Sequence, residues 1–143
     1  MNMNLIHFGD QCANGIIIND ILKNKKKQLF MLGIYSFNDI IFYLQDNQLH
    51  KIYDIDYLEK VNNTHTKHII YNFVFNHDYI YNNDGTIINY DLVKKRFQEK
   101  IRNYEAIYVE DTLNVFITFT DNVNNLNIEG FLELFRNNIK FHL

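Results

Sequence analysis

Apolar residues along this chain switch between a helical and an alternating spacing, and the switch divides the chain into elements. Residues 3–8, MNLIHF, are a short apolar-rich run broken by Gly9, which reads as a strand and a turn. Residues 12–24 then place Ile17, Ile18, Ile21 and Leu22 at helical spacing, with Asp10 or Gln11 at the capping position. In YSFNDIIFYLQD, 35–46, Ser36 and Asp39 stand as in a capping box, and the apolar run behind them continues as helix. Residues 54–61, DIDYLEKV, predict a third short helix.

The pattern changes in the second half. Residues 67–81, KHIIYNFVFNHDYIY, are rich in Ile, Val, Phe and Tyr and read as strand. NNDG, 82–85, supplies a turn, and 86–89 return antiparallel. Asp91 caps a predicted helix over 92–104, with Leu92, Val93, Phe97, Ile101 and Tyr104 on one side. LNVFITFT, 113–120, is the best-defined buried strand, 127–138 form a last helix, and 139–143 a closing strand. This order predicts one domain over 1–143 of α/β or α+β class, a single-layer mixed β-sheet flanked by helices.

Composition narrows the picture. A net charge of −3 over 143 residues gives no broad basic field, so nucleic-acid binding is not expected. The cluster Lys23, Lys25, Lys26 and Lys27 falls at the end of a predicted helix, where it complements the dipole. One cysteine excludes an internal disulfide and fits a reducing compartment. The longest apolar run, 40–44, is far short of a membrane span, and no secretory signal is visible. The expectation is a cytoplasmic protein with no membrane partner. The 22 Asn and 20 Ile, against 2 Ala, match AT-rich codons, as in some cellular parasites and large DNA viruses.

Against that background the lone thiol gains interest. A helix beginning at Cys12 would favour its thiolate through backbone amides and dipole. The same amides, with the Gln11 side chain, could stabilise an oxyanion. Strand, tight turn, nucleophile and helix form a recurrent catalytic order. Of six histidines, His77 is the best base, because it ends the apolar stretch 69–75 where a strand would deliver it to a sheet edge. His7 reads as a core or face residue. His65 and His68 without Cys or carboxylate partners give no metal signature, and no phosphate-cradling glycine loop appears. No cofactor is expected.

These residues carry a resemblance. FGDQC (8–12), YSFND (35–39), FNHDYI (75–80), the helix of 90–104 and LNVFITF (113–119) resemble, in order, the elements of the putative papain-like cysteine peptidases of bacteria and large DNA viruses. The resemblance implies a papain-like fold with Cys12 as nucleophile and His77 as general base. Asn38 stands where that family has Asp and would orient His77, as in Cys-His-Asn sites. Asp78 would do so only if the strand ends or bulges there, and Asp121 fits the order of Cys, His, then acid. The family's Trp is absent and its Pro is replaced by Ser36.

Two functions follow as expectations. One is a thiol hydrolase or cysteine peptidase acting on a peptide, isopeptide or other acyl substrate. The other is a non-catalytic module binding a host protein through the same fold. The hydrolase expectation requires the strand ending at His77 to lie beside the strand ending at Gly9. It also requires Phe37 and Phe75 to point inward while Asn38 and His77 face the site.

Overall fold

The computed structural model describes residues 3–8, 20, 28–30, 33–106, 113–118, 120 and 122–136. In chain order the elements are β1 (Met3–His7), β2 (Gly33–Ile34), α1 (Phe37–Asp46), β3 (Leu58–Lys60), β4 (His65–His68), β5 (Val74–Asn76), α2 (Tyr90–Ala106), β6 (Leu113–Ile117) and α3 (Ile128–Phe135). Short 3-10 turns stand at Leu49–Tyr53, Ile55–Tyr57 and Val123–Asn125.

The class is mixed α/β, but the strands make two sheets rather than the single mixed sheet expected. β1 pairs parallel with β6, Leu5 opposite Val115 and His7 opposite Ile117, and the Phe8 N–H extends the ladder to the Ile117 carbonyl at 2.8 Å. Among the described residues, the other edge of β1 meets a side chain and no strand. Gln28 Nε2 donates to the Leu5 carbonyl and its Oε1 accepts from the His7 N–H, both at 2.7 Å. A carboxamide carries the donor and acceptor of a peptide unit, so it satisfies these two groups as a neighbouring strand would. The second sheet, ordered β2-β5-β4-β3, is antiparallel throughout.

Aromatic packing joins the two sheets. Phe8 is fully buried, its ring 5.4 Å from Phe30, 5.1 Å from Phe116 and 5.8 Å from Phe131. Phe30 in turn meets Tyr35, Tyr43 and Phe73 edge-on, the preferred arrangement of ring quadrupoles. Phe37 and Phe75 point inward as expected.

α1 forms as its sequence predicts. The Ser36 hydroxyl accepts from the Asp39 N–H at 3.2 Å, and Phe37, Ile40, Ile41 and Leu44 make the buried stripe. Asn47, in the left-handed region at φ 52°, closes the helix with its N–H on the Leu44 carbonyl. α3 packs on α1 through Gly130, where a Cβ would lie 2.8 Å from Ile41 Cγ2. Only glycine permits that approach.

Several expected elements differ. Residues 67–81 are not one strand: the chain reverses after His68, and Asn72 enters the left-handed region at φ 57°. The Asn72 N–H bonds the His68 carbonyl and the His68 N–H bonds the Phe73 carbonyl, so Ile69 and Ile70 ride a tight turn. Residues 54–61 hold only a 3-10 turn before β3. α2 starts at Tyr90, with Asp91 in its first turn rather than at its cap, and Leu92 is half-exposed while Lys100 is buried. β6 is half-buried along Asn114–Ile117, not deeply buried as expected. The return of 86–89 is present, with Tyr81 bridged antiparallel to Ile87. The predicted 12–24 helix, apart from Asp20, and the closing strand lie outside the described residues, as does the lysine cluster. Among the described residues no helix is long and apolar enough to cross a membrane.

Candidate functional site

β5 ends at Asn76, and the next residue leaves the strand abruptly. His77 has φ 63°, a left-handed conformation rare outside glycine though tolerated by histidine, and its N–H donates to the Thr64 carbonyl at 2.7 Å. Asn76 is the Cα partner of His65 in the ladder. A regular strand would send residue 77 to the opposite face from residue 76. The left-handed step instead sets the His77 ring beside His65, centroids 6.0 Å apart, at an exposed position.

A compact hydrogen-bond knot supports His65. Asn62 Oδ1 accepts from the Thr64 N–H, the His65 N–H and the Thr64 hydroxyl, each at 2.9 Å. His65 Nδ1 lies 3.1 Å from Asn62 Oδ1 and 2.7 Å from Thr64 Oγ1. His68, paired with His65 in the sequence reading, is separated from this knot by its burial: it has no exposed surface and stacks on Tyr71 at 4.7 Å. Its Nε2 donates to the Lys51 carbonyl at 2.8 Å and its Nδ1 accepts from the Tyr71 N–H. Burial holds its pKa below the ordinary value, against the pull of the Lys51 carbonyl, so it is a neutral core histidine. His7 is likewise buried, its Nδ1 3.1 Å from the Phe30 carbonyl, and burial holds its pKa low.

Asp78 follows the left-handed step, so the condition that the strand end there is met. Its carboxyl is half-buried, and burial raises its pKa above the ordinary carboxylate range, opposed first by Lys100, then by Arg96 and His77. Its dominant charge neighbours are thus on α2. Asn89, which the sequence reading passed over, fixes this segment. Its Nδ2 donates to the Asp78 carbonyl and its Oδ1 accepts from the Ile80 N–H, both at 2.8 Å. An asparagine among 22 offers no signal of its own in the sequence. Residues Ile87, Ile88, Asn89, Tyr90, Asp91 and Leu92 line an open depression of about 490 Å³ beside it.

Asn38 is exposed on the first turn of α1, with both ends of its amide engaged. Nδ2 donates to the Asn125 carbonyl and Oδ1 accepts from the Asn127 N–H, each at 2.7 Å. These bonds tie the start of α3 to α1, and none joins Asn38 to His77. Cys12, Gln11 and Asp121 lie outside the described residues. The strand pairing proposed for the site is not found: β5 runs between β2 and β4, whereas β1 runs beside β6. The order of strands follows from hydrogen-bond partners distant in sequence, which apolar patterning does not encode. Among the described residues, no group of three or more His, Cys, Asp or Glu side chains is placed to hold a metal ion.

Compared with protein-family models, curated proteins and solved structures, the chain matches none.

Proposed function

We propose that the protein is a papain-like thiol hydrolase of the cytoplasm that acts on a peptide, isopeptide or other acyl group. Cys12 is the nucleophile and His77 the general base. His77 takes the thiol proton as sulfur attacks the acyl carbon, and returns it to the departing amine or alcohol. Water, deprotonated by the same imidazole, then releases the acid from the thioester. Backbone amides following Cys12, with Gln11, hold the oxyanion. The observation that carries the reading is His77 itself. It is an exposed imidazole at the end of a strand, held in a left-handed conformation, with no hydrogen-bond partner on its ring among the described residues. Left-handed backbone at a residue other than glycine recurs at functional positions. The depression at Ile87–Leu92 adjoins the same turn through Asn89 and would take an apolar substrate side chain.

Labelling by an acyl-mimetic thiol probe tests this. Cys12→Ala should abolish labelling, and His77→Ala should slow it by about a hundredfold or more. His77→Asn, which tolerates the left-handed backbone, should slow it equally. Full reactivity in both His77 variants would remove the pair.

Two observations favour a second reading, a non-catalytic module that binds a host protein. The Asn38 amide is committed to the loop before α3, and the charge partners of Asp78 stand chiefly on α2. In that case the half-exposed or exposed Ile80, Ile88 and Leu92 would be the contact surface. A wild-type protein that labels no faster than free cysteine would put this reading ahead.

A further inference from the structure

We propose that His65 and His77 form a binding site for a borderline divalent transition-metal ion such as zinc, and that the ion inhibits the proposed hydrolysis by occupying the base. The inhibition rests on the hydrolase reading; the binding does not. Two imidazoles bound to one tetrahedral ion, with metal–nitrogen bonds of about 2.0–2.1 Å, have ring centroids about 5 Å apart, a spacing that the exposed His77 ring reaches by moving about 1 Å. The His65 and His77 centroids are 6.0 Å apart. The left-handed step at His77 creates that approach, because a regular strand would place the two rings on opposite faces.

The surroundings also prepare one ligand atom. Asn62 Oδ1 can only accept, and the Thr64 hydroxyl gives its one proton to it at 2.9 Å. A proton on His65 Nδ1 has both oxygens within reach, 2.7 Å and 3.1 Å away, and this is the tautomer that the site uses. The neutral ring then presents a bare lone pair on Nε2. Outer hydrogen bonds of this kind fix the tautomer and orientation of metal-binding histidines. The His77 ring has no hydrogen bond to lose among the described residues. Imidazole suits zinc, copper and nickel, and hard oxygen-seeking ions find no carboxylate cluster among the described residues. With two protein ligands the remaining positions go to water, which makes an exchangeable ion rather than a structural one.

Isothermal titration of zinc chloride into Cys12→Ala protein, where the thiol cannot compete, tests the site. One ion per chain is expected. His65→Gln and His77→Asn, added singly to that background, should each weaken binding tenfold or more, while His50→Ala should not. Unchanged affinity in either of the first two variants, or no binding in the parent, overturns the site. Circular dichroism confirms that each variant is folded. In a second arm, zinc chloride should suppress probe labelling of the wild type, measured against its own zinc-free rate, and His65→Gln should require at least tenfold more zinc. Equal sensitivity in His65→Gln overturns the inhibition. A wild type that never labels removes the hydrolase reading and the inhibition together, and the titration still decides the metal site.

Discussion

Two aromatic clusters meet at Phe30, and they are built on different physics. Around Phe8 pack the rings of Phe37, Phe116, Phe131 and Phe135, none of which carries a polar atom of its own. Around Tyr71, the rings carry hydrogen bonds: Tyr71 donates to Asp46 and Tyr43 to the Leu49 carbonyl, both at 2.5 Å, while His68 joins the Lys51 carbonyl to the Tyr71 N–H. The first cluster gains from removing apolar surface from water and is insensitive to protonation. The second is specified by partners that must all be present, so it responds to pH. Neighbouring parts of one core can therefore fail for unrelated reasons.

The largest effect should follow truncation in the dry cluster. Phe8→Ala should cost about 3–5 kcal/mol in chemical denaturation, because the rings held by β6, α1 and α3 cannot collapse into the space. The loss should be the same at pH 5 and pH 8. A loss that changes between them would show that the two clusters are not separable.

Next comes the hydrogen-bonded cluster. His68→Leu should cost about 1–3 kcal/mol for each backbone group, the Lys51 carbonyl and the Tyr71 N–H, that it leaves unpaired. Its pH behaviour follows from direction. Burial holds the folded pKa of His68 and His7 below the ordinary 6.5, so the unfolded chain binds protons first. Stability should be full above about pH 6.5 and fall as the pH drops below it. The slope in His68→Leu should be shallower but not zero, His7 supplying the remainder. An unchanged slope would mean that His68 is not buried neutral.

The smallest of the three concerns the join between helices. Asn38→Ala removes two bonds to the start of α3 and should cost about 1–2 kcal/mol, more than an exposed asparagine with no tertiary partner. Asn38→Asp keeps the acceptor toward the Asn127 N–H but loses the donor toward Asn125, and should fall between. If Asn38→Ala instead leaves stability untouched while slowing probe labelling, the residue orients the base after all.

The hydrophobic pattern was sufficient wherever one element could be recognised from its own residues. β1, the Ser36-capped α1, the turn at 82–85, α2 and α3 all carry a local signature of spacing, cap or turn residue, and each is present. The stretch 67–81 shows the limit. Its composition reads as strand throughout, yet Asn72 and His77 both take left-handed backbone, which those residue types tolerate, Asn72 with its N–H on the His68 carbonyl within its turn and His77 with its N–H on the Thr64 carbonyl across the sheet. For the same reason the sequence marked His77 as a base but not its neighbour His65, since the step that brings the rings together is a backbone dihedral and not a spacing.

What the chain determined by itself was β1, the three helices α1, α2 and α3, the mixed α/β class, and the two inward phenylalanines at 37 and 75. Tertiary structure alone decided that the strands divide into two sheets, that Gln28 closes one edge of β1, and that Asn38 and Asn89 spend their amides on backbone groups. The physical reason is range. Apolar periodicity is written into neighbouring residues, whereas a carboxamide or an imidazole can meet any partner that the fold carries to it, and nothing in its own surroundings says which.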